Sequence, residues 1–332
     1  MAINIPSPEL GELAGFNHLW PHAVRHHPSS AKGVASVLLN NTYLFSTYPL
    51  INMRPDLRHS LEDINLSTVP VSELLRAAEN CPVISWKGTK IIRLTSTAVL
   101  KIGVEVSLQE VLNMRHIHNH SNGRIHIPRV YRYFLSGGLG HIVMEFVDGE
   151  SLDAVPWLKR TTQQRQCIIS QVNDALDCMR SIKSDTPGPV GCGVPMGGLF
   201  TVYGAGRAFQ SATDMEPWFN QKLKILGRGD VTGRFSDLIM CHMDIKLRNL
   251  ILDKEGRLWI LDWAWAGFFP PAFEHTSLEH IPAEDPNWEF AQDLLHELQP
   301  VWYDETLVKL LLDVYQVNDG PFGGSHIISG TY

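Results

Sequence analysis

Two short apolar runs, Leu250-Ile251-Leu252 and Leu258-Trp259-Ile260-Leu261, flank the turn-forming stretch Asp253-Lys254-Glu255-Gly256. That order predicts a β-hairpin, and a hairpin fixes what stands at its open ends. Asn249 precedes the first strand and Asp262 follows the second, so the two side chains meet wherever the rest of the chain goes. Two oxygen-bearing side chains at neighbouring strand ends make a site for a hard cation. Magnesium takes few protein oxygens and completes its shell with water and phosphate oxygens. Asp244, five residues before Asn249, falls beside such an ion without ligating it, where it can accept a proton from an attacking hydroxyl. Taken singly, His242, Asp244, Asn249 and Asp262 each read as loop residues capping a hairpin. Taken as His-x-Asp-x-x-x-x-Asn with a later Asp across an apolar hairpin, they point to chemistry.

The rest of the chain changes period along its length. Residues 1–70 are rich in Pro, His, Ser and Asn and show no clear period. Val71 to Glu79 places Val71, Leu74, Leu75 and Ala78 at helical spacing before Asn80 and Pro82. From Val83 the pattern turns to short strands, with Lys90–Leu94 and Ala98–Ile102 apolar. Ser107 to Ile117 reads as a helix. Val130–Leu135 and His141–Phe146 read as strands around Gly137-Gly138-Leu139-Gly140, a hairpin turn. Beyond Asp148-Gly149 the pattern is mainly helical, with Thr162–Ile182, Pro217–Leu226, Asp285–Leu298 and Asp304–Val317 as candidate helices. Residues 188–206 hold seven glycines, which marks a loop. The expected class is α+β, a small sheet with one helix followed by a larger helical part.

Composition narrows the function. The formal charge of −7 over 332 residues argues against nucleic-acid binding, which needs clustered Lys and Arg. Five cysteines, odd in number, widely spaced and without a Cys-x-x-Cys pair, suggest neither a disulfide framework nor a zinc site. They favour a reducing, cytoplasmic setting. The start of the sequence carries no secretory pattern. Its most apolar run, Val34 to Ile51, is broken by Asn40, Asn41, Thr42, Ser46, Thr47 and Pro49, so no membrane span is expected.

Cys241 to Gly267 resembles the catalytic loop and metal-binding strand pair of the kinase-like superfamily. Within it, the segment is most similar to the aminoglycoside phosphotransferase family, fungal-type members especially, because Asp262-Trp263 stands where protein kinases carry Asp-Phe-Gly. The resemblance spans roughly residues 83–290. It implies a protein-kinase-like bilobal fold: residues 1–80 an extension, partly helical, 81–147 a small antiparallel-sheet N-lobe, and 148–332 a mainly helical C-lobe. It implies transfer of the γ-phosphate of ATP to a hydroxyl of a small molecule, an amino alcohol, aminoglycoside or similar. Asp244 would be the base, His242 a brace for the loop, and Asn249 and Asp262 the Mg²⁺ ligands. Lys246 stands where it could approach the transferred phosphate, and an exposed lysine fits the same position.

The resemblance also calls for a phosphate-gripping lysine on a strand and a glutamate on the next helix. Lys101, ending the apolar strand Ala98-Val99-Leu100, fits the first, although a strand lysine with its tip in water has the same pattern. Glu110 fits the second, with Glu105 as fallback; Ser107-x-x-Glu110 is also a capping box. His141 to Gly149 resembles the strand and hinge whose backbone, at Glu145 and Val147, would hold adenine. There is no Gly-x-Gly-x-x-Gly before Lys101 and no long activation segment, both of which argue against a protein kinase. A nucleotide-binding relative without useful turnover is the other alternative. Glu274, Glu279, Glu284, Glu289 and Asp293 lie in segments that could face a cationic acceptor. His116, His118, His120 and His126 read as an exposed helix end and loop before they read as a metal site.

Overall fold

The computed structural model describes residues 61–87, 89–201, 203–298 and 304–319. Most of the expected N-terminal extension thus lies outside the described residues. Helix α1, Val71–Glu79, turns the buried Leu74 and Ala78 onto a cluster with Leu61, Leu66, Val69, Ile92, Leu94, Leu100 and Val143. Those last four belong to an antiparallel sheet or its connecting turn, so residues 61–79 form one cover of that sheet. Its strands are β1 (Val83–Lys87), β2 (Thr89–Arg93), β3 (Ala98–Gly103), β4 (Val130–Ser136) and β5 (Leu139–Glu145). They lie in the order β1-β2-β3-β5-β4, antiparallel throughout. Gly137 and Gly138, both at positive φ, make the tight β4–β5 turn that the sequence predicts. Helix α2, Leu108–His120, joins β3 to β4 and brings Val111 and Met114 against the same part of the chain.

Beyond β5 the chain leaves the sheet. A three-residue strand β6 (Gly149–Ser151) pairs with the hairpin, and α3, Thr162–Arg180, begins at a capping box between Thr161 and Gln164. The next strand, β7 (Lys183–Ser184), opens the glycine-rich stretch. Helix α4 runs Ala212–Ile225, five residues longer at its start than Pro217 suggested. Ser211 caps it by accepting the Asp214 N–H (3.1 Å), and Pro217 sits inside, withholding one amide from the Thr213 carbonyl. Then come β8 (Leu238–Cys241), β9 (Leu250–Asp253), β10 (Leu258–Ile260) and β11 (Gly267–Phe269). Two three-stranded sheets result, β10-β9-β6 and β11-β8-β7.

The chain then enters α5 (Pro271–Glu279), α6 (Trp288–Glu297) and α7 (Glu305–Asp319). The sequence showed no helix over α5 for a physical reason. Residues Ala272 to Leu278 are all buried, so no polar face marks a period. One core gathers α2, α3, α6 and the hairpin around Leu176, Met240, Leu250, Trp263 and Phe290. A second gathers Phe200, Phe209, Phe219, Phe269 and Phe273 with α7. The segment from Cys241 to Gly267 lies between the two. Its flanking strands β8 and β11 carry Met240 and Phe268 into the first and Ile239, Cys241 and Phe269 into the second. Among the described residues, no helix is long and apolar enough to cross a membrane.

Candidate active site

The hairpin forms in the expected register. Leu250 pairs with Ile260, and one step further out the Leu261 N–H donates to the Asn249 carbonyl at 2.8 Å. Asp262 is thereby the next residue across from Asn249. The Asp253 carboxylate closes the other end by accepting from the Glu255 and Arg257 amides, Arg257 Nε and Trp259 Nε1. That side chain folds the turn and takes no part in the site.

Asp244 is 7% exposed and its two oxygens differ. Oδ2 accepts from Asn249 Nδ2 (2.8 Å) and from Arg248 Nη2 (2.7 Å). Oδ1 is buried with no hydrogen-bond partner, although Lys246 Nζ lies 3.3 Å away. The Asn249 amide is oriented as well. Its Nδ2 also donates to the Asp244 carbonyl (2.8 Å), which leaves Oδ1 as the group it can offer elsewhere.

His242 is fully buried and carries no substrate-facing group. The Asp244 N–H donates to Nδ1 (3.2 Å), so Nε2 bears the proton and donates to the Leu261 carbonyl (2.9 Å). Burial lowers its pKa and agrees with this neutral tautomer. The ring, edge-on to Trp263 at 4.7 Å, ties the loop around Asp244 to the segment that follows β10. Met243 and Asp262, the residues just before Asp244 and at the end of the hairpin, both adopt left-handed backbone (φ 69° and 61°). Such strain in non-glycine residues persists only where surroundings hold it, and it gathers at functional sites.

Lys101 is brought in from β3. Its Nζ lies 2.6 Å from Glu110 Oε1 and 2.9 Å from Asp262 Oδ1, and only 7% of its side chain is exposed. Burial favours the neutral amine, but the two carboxylates override it and hold the ammonium charged. Burial likewise works against ionised Asp262, and Lys101 reverses the balance, so its carboxyl titrates low. Both sequence readings of Glu110 hold in part. Its backbone N–H donates to Ser107 Oγ (3.3 Å) as in a cap, while its carboxylate turns to Lys101 instead of completing a capping box. Glu105 lies in the turn before the helix and is exposed.

At the end of β5, the Glu145 carboxylate accepts the Arg129 N–H (3.1 Å), so its side chain is directed at the protein and only its backbone remains for a ligand. Val147 is buried, and its N–H makes no hydrogen bond among the described residues.

Of two residues central to this geometry, the sequence reading gave Glu274 another role and Asn113 none. Glu274 of α5, grouped above with acids that could face an acceptor, instead lies buried behind the loop. Its carboxylate accepts the backbone N–H groups of His242 and Met243. Burial pushes its carboxyl up to about 7, against the pull of those two amides. Asp293 is also engaged elsewhere, with Arg165 Nη1 (2.9 Å) and Trp157 Nε1 (2.8 Å). Asn113 of α2 is fully buried and makes three bonds, from Nδ2 to the Trp263 and Ala266 carbonyls and to Oδ1 from the Val190 N–H. It fixes the helix bearing Glu110 to the segment after Asp262. The available signal was an amide inside an apolar helix stretch, where Asn is a poor choice without a partner.

The donor set fits magnesium. Asn249 Oδ1 and the second oxygen of Asp262 accept no hydrogen bond among the described residues, and both are hard oxygen donors. No cluster of three or more His, Cys, Asp or Glu with metal-binding geometry occurs among the described residues, so an ion here would take the rest of its shell from a ligand and water.

No protein-family model matches the chain, and no curated protein matches its sequence significantly. Solved structures do match. One is a thermostable mutant of aminoglycoside phosphotransferase APH(4)-Ia in ternary complex with AMP-PNP and hygromycin B. It is 12% identical over 75% of this chain and 90% of that one, with a TM-score of 0.51. Another is aminoglycoside phosphotransferase APH(4)-Ia itself, 12% identical over 74% and 88%, with a TM-score of 0.50. The five-stranded sheet with its one helix, followed by the helical part that carries the hairpin, is the bilobal kinase-like fold of the aminoglycoside phosphotransferases.

Proposed function

We propose that the protein is a small-molecule kinase that moves the γ-phosphate of ATP to an acceptor hydroxyl, with Asp244 as base. The observation that carries this reading is the Asp244 carboxylate, whose Oδ2 is clamped by Asn249 and Arg248 while its buried Oδ1 accepts no hydrogen bond and faces the Lys246 ammonium at 3.3 Å. An acceptor hydroxyl supplies the missing hydrogen bond, and as its oxygen attacks phosphorus its proton passes to Oδ1. His242 and Glu274 hold the backbone on either side so that this oxygen stays in place. Asn249 and Asp262 would hold Mg²⁺, which when bound neutralises phosphate charge. Lys101, kept charged by Glu110, grips the phosphates, and Lys246 faces the transferred group. Adenine would meet the backbone of Glu145 and Val147. Catalysis then consists of alignment and charge neutralisation, as expected for a reaction with little covalent work for the protein.

The neighbour that holds AMP-PNP and hygromycin B supports a nucleotide and a small acceptor as the pair of ligands. Of the acids that could face a cationic acceptor, Glu274 is withdrawn behind the loop, while Asp293 stays 39% exposed with one oxygen bound to Arg165 and Trp157. The test is ATP consumption with Mg²⁺ against pooled amino alcohols, aminoglycosides and sugars. Phosphorylation of one class is the expected result. Transfer to protein substrates alone would contradict the reading.

A further inference from the structure

The active site contains one more cation than the roles above use. Arg248 follows Lys246 on the single turn that leads to Asn249, and its Nη2 lies 2.7 Å from Asp244 Oδ2. That bond is not needed to orient the base, because Asn249 Nδ2 already holds the same oxygen at 2.8 Å. The Arg248 side chain is 43% exposed, so its head is free to leave, whereas Lys101 is buried in its two ion pairs.

In kinase-type sites, backbone N–H groups of a glycine loop between the first two strands cover the phosphates. Here the sequence before Lys101 carries no Gly-x-Gly-x-x-Gly. Charge on the terminal phosphate must be met by side chains, and a guanidinium suits it because its paired N–H groups match two phosphate oxygens.

We propose that Arg248 is a phosphate-binding residue that exchanges Asp244 Oδ2 for the non-bridging oxygens of the terminal phosphate when ATP enters. The inference rests on the reading of the site as an ATP-dependent phosphotransferase. In the exchange the base loses one of its two Oδ2 partners and keeps Asn249, so the Arg248–Asp244 pair is the resting state of a group whose working partner is the nucleotide.

Calorimetric titration of the full chain with Mg-ATP and with Mg-ADP separates the possibilities, using wild type, Arg248→Met and Arg248→Lys. The expected result is an Arg248→Met protein that loses about ten- to a hundredfold in ATP affinity, the range for one charge-assisted contact, with ADP affinity retained and Arg248→Lys intermediate. Equal losses for ATP and ADP, or no loss for either, would overturn the proposal. So would unchanged ATP affinity with a raised acceptor KM, which would make Arg248 an acceptor contact. If wild type binds neither nucleotide, the underlying reading of the site fails as well.

Discussion

Replacing Glu274 by Gln removes a buried charge from behind the catalytic loop while leaving an oxygen to accept the His242 and Met243 amides. The wild-type carboxyl is shifted from 4.5 to about 7 because burial penalises its charged form. Asp244 adds to that penalty, while the two amides and the nearby Arg180 charge oppose it. A folded-state pKa above the unfolded one means that the native state holds the proton more tightly. This contribution is therefore fully present below pH 4.5 and is lost as pH rises through 7. At 1.36 kcal/mol per unit, the full span is about 3 kcal/mol. Urea unfolding of wild type and Glu274→Gln at pH 5 and pH 8 reads it directly. The difference between them should move by about 2–3 kcal/mol in favour of the variant on going to pH 8. Parallel pH dependences for the two proteins would show that Glu274 ionises freely, and the account of a buried brace would be wrong.

Two further outcomes follow from the same geometry. Lys101→Met strands Glu110 and Asp262 without their cation and should cost about 3–5 kcal/mol in urea unfolding at pH 7. Part of that loss should return at lower pH as the buried acids take up protons; a pH-independent loss would assign it to packing instead. Asn113→Ala leaves the Ala266 carbonyl and the Val190 N–H unpaired and takes one of two donors from the Trp263 carbonyl; it should cost about 2–5 kcal/mol, measured the same way, whereas a neutral result would mean that water replaces the amide.

What the sequence disclosed and what it withheld divide by distance along the chain. The hairpin was legible because its strands, turn and polar ends lie within Asn249–Asp262, so local pattern fixes the register. Lys101 and Glu110 were legible for a similar reason, nine residues apart on a strand and the next helix. Glu274 was misread because its contact crosses 32 residues to a backbone amide, and no pattern in side chains announces an acceptor for main-chain N–H groups. Asn113 bonds to residues 150 and 153 positions away. Helix α5 is buried on every side and shows no period, and Pro217 masked the first turn of α4. Arg248 carried no assignment in the sequence, and its guanidinium meets Asp244 only in the folded chain.

The central claim is that Asp244 takes the acceptor proton while other residues hold the nucleotide. Phosphate transfer and Mg-ATP affinity measured side by side for wild type and Asp244→Asn test it most directly. The amide can still accept a hydrogen bond but cannot take up the proton, so turnover should fall by about 10²–10⁴-fold while Mg-ATP binding persists. Near-normal transfer by Asp244→Asn would contradict the assignment of the base and, with it, the account of the site.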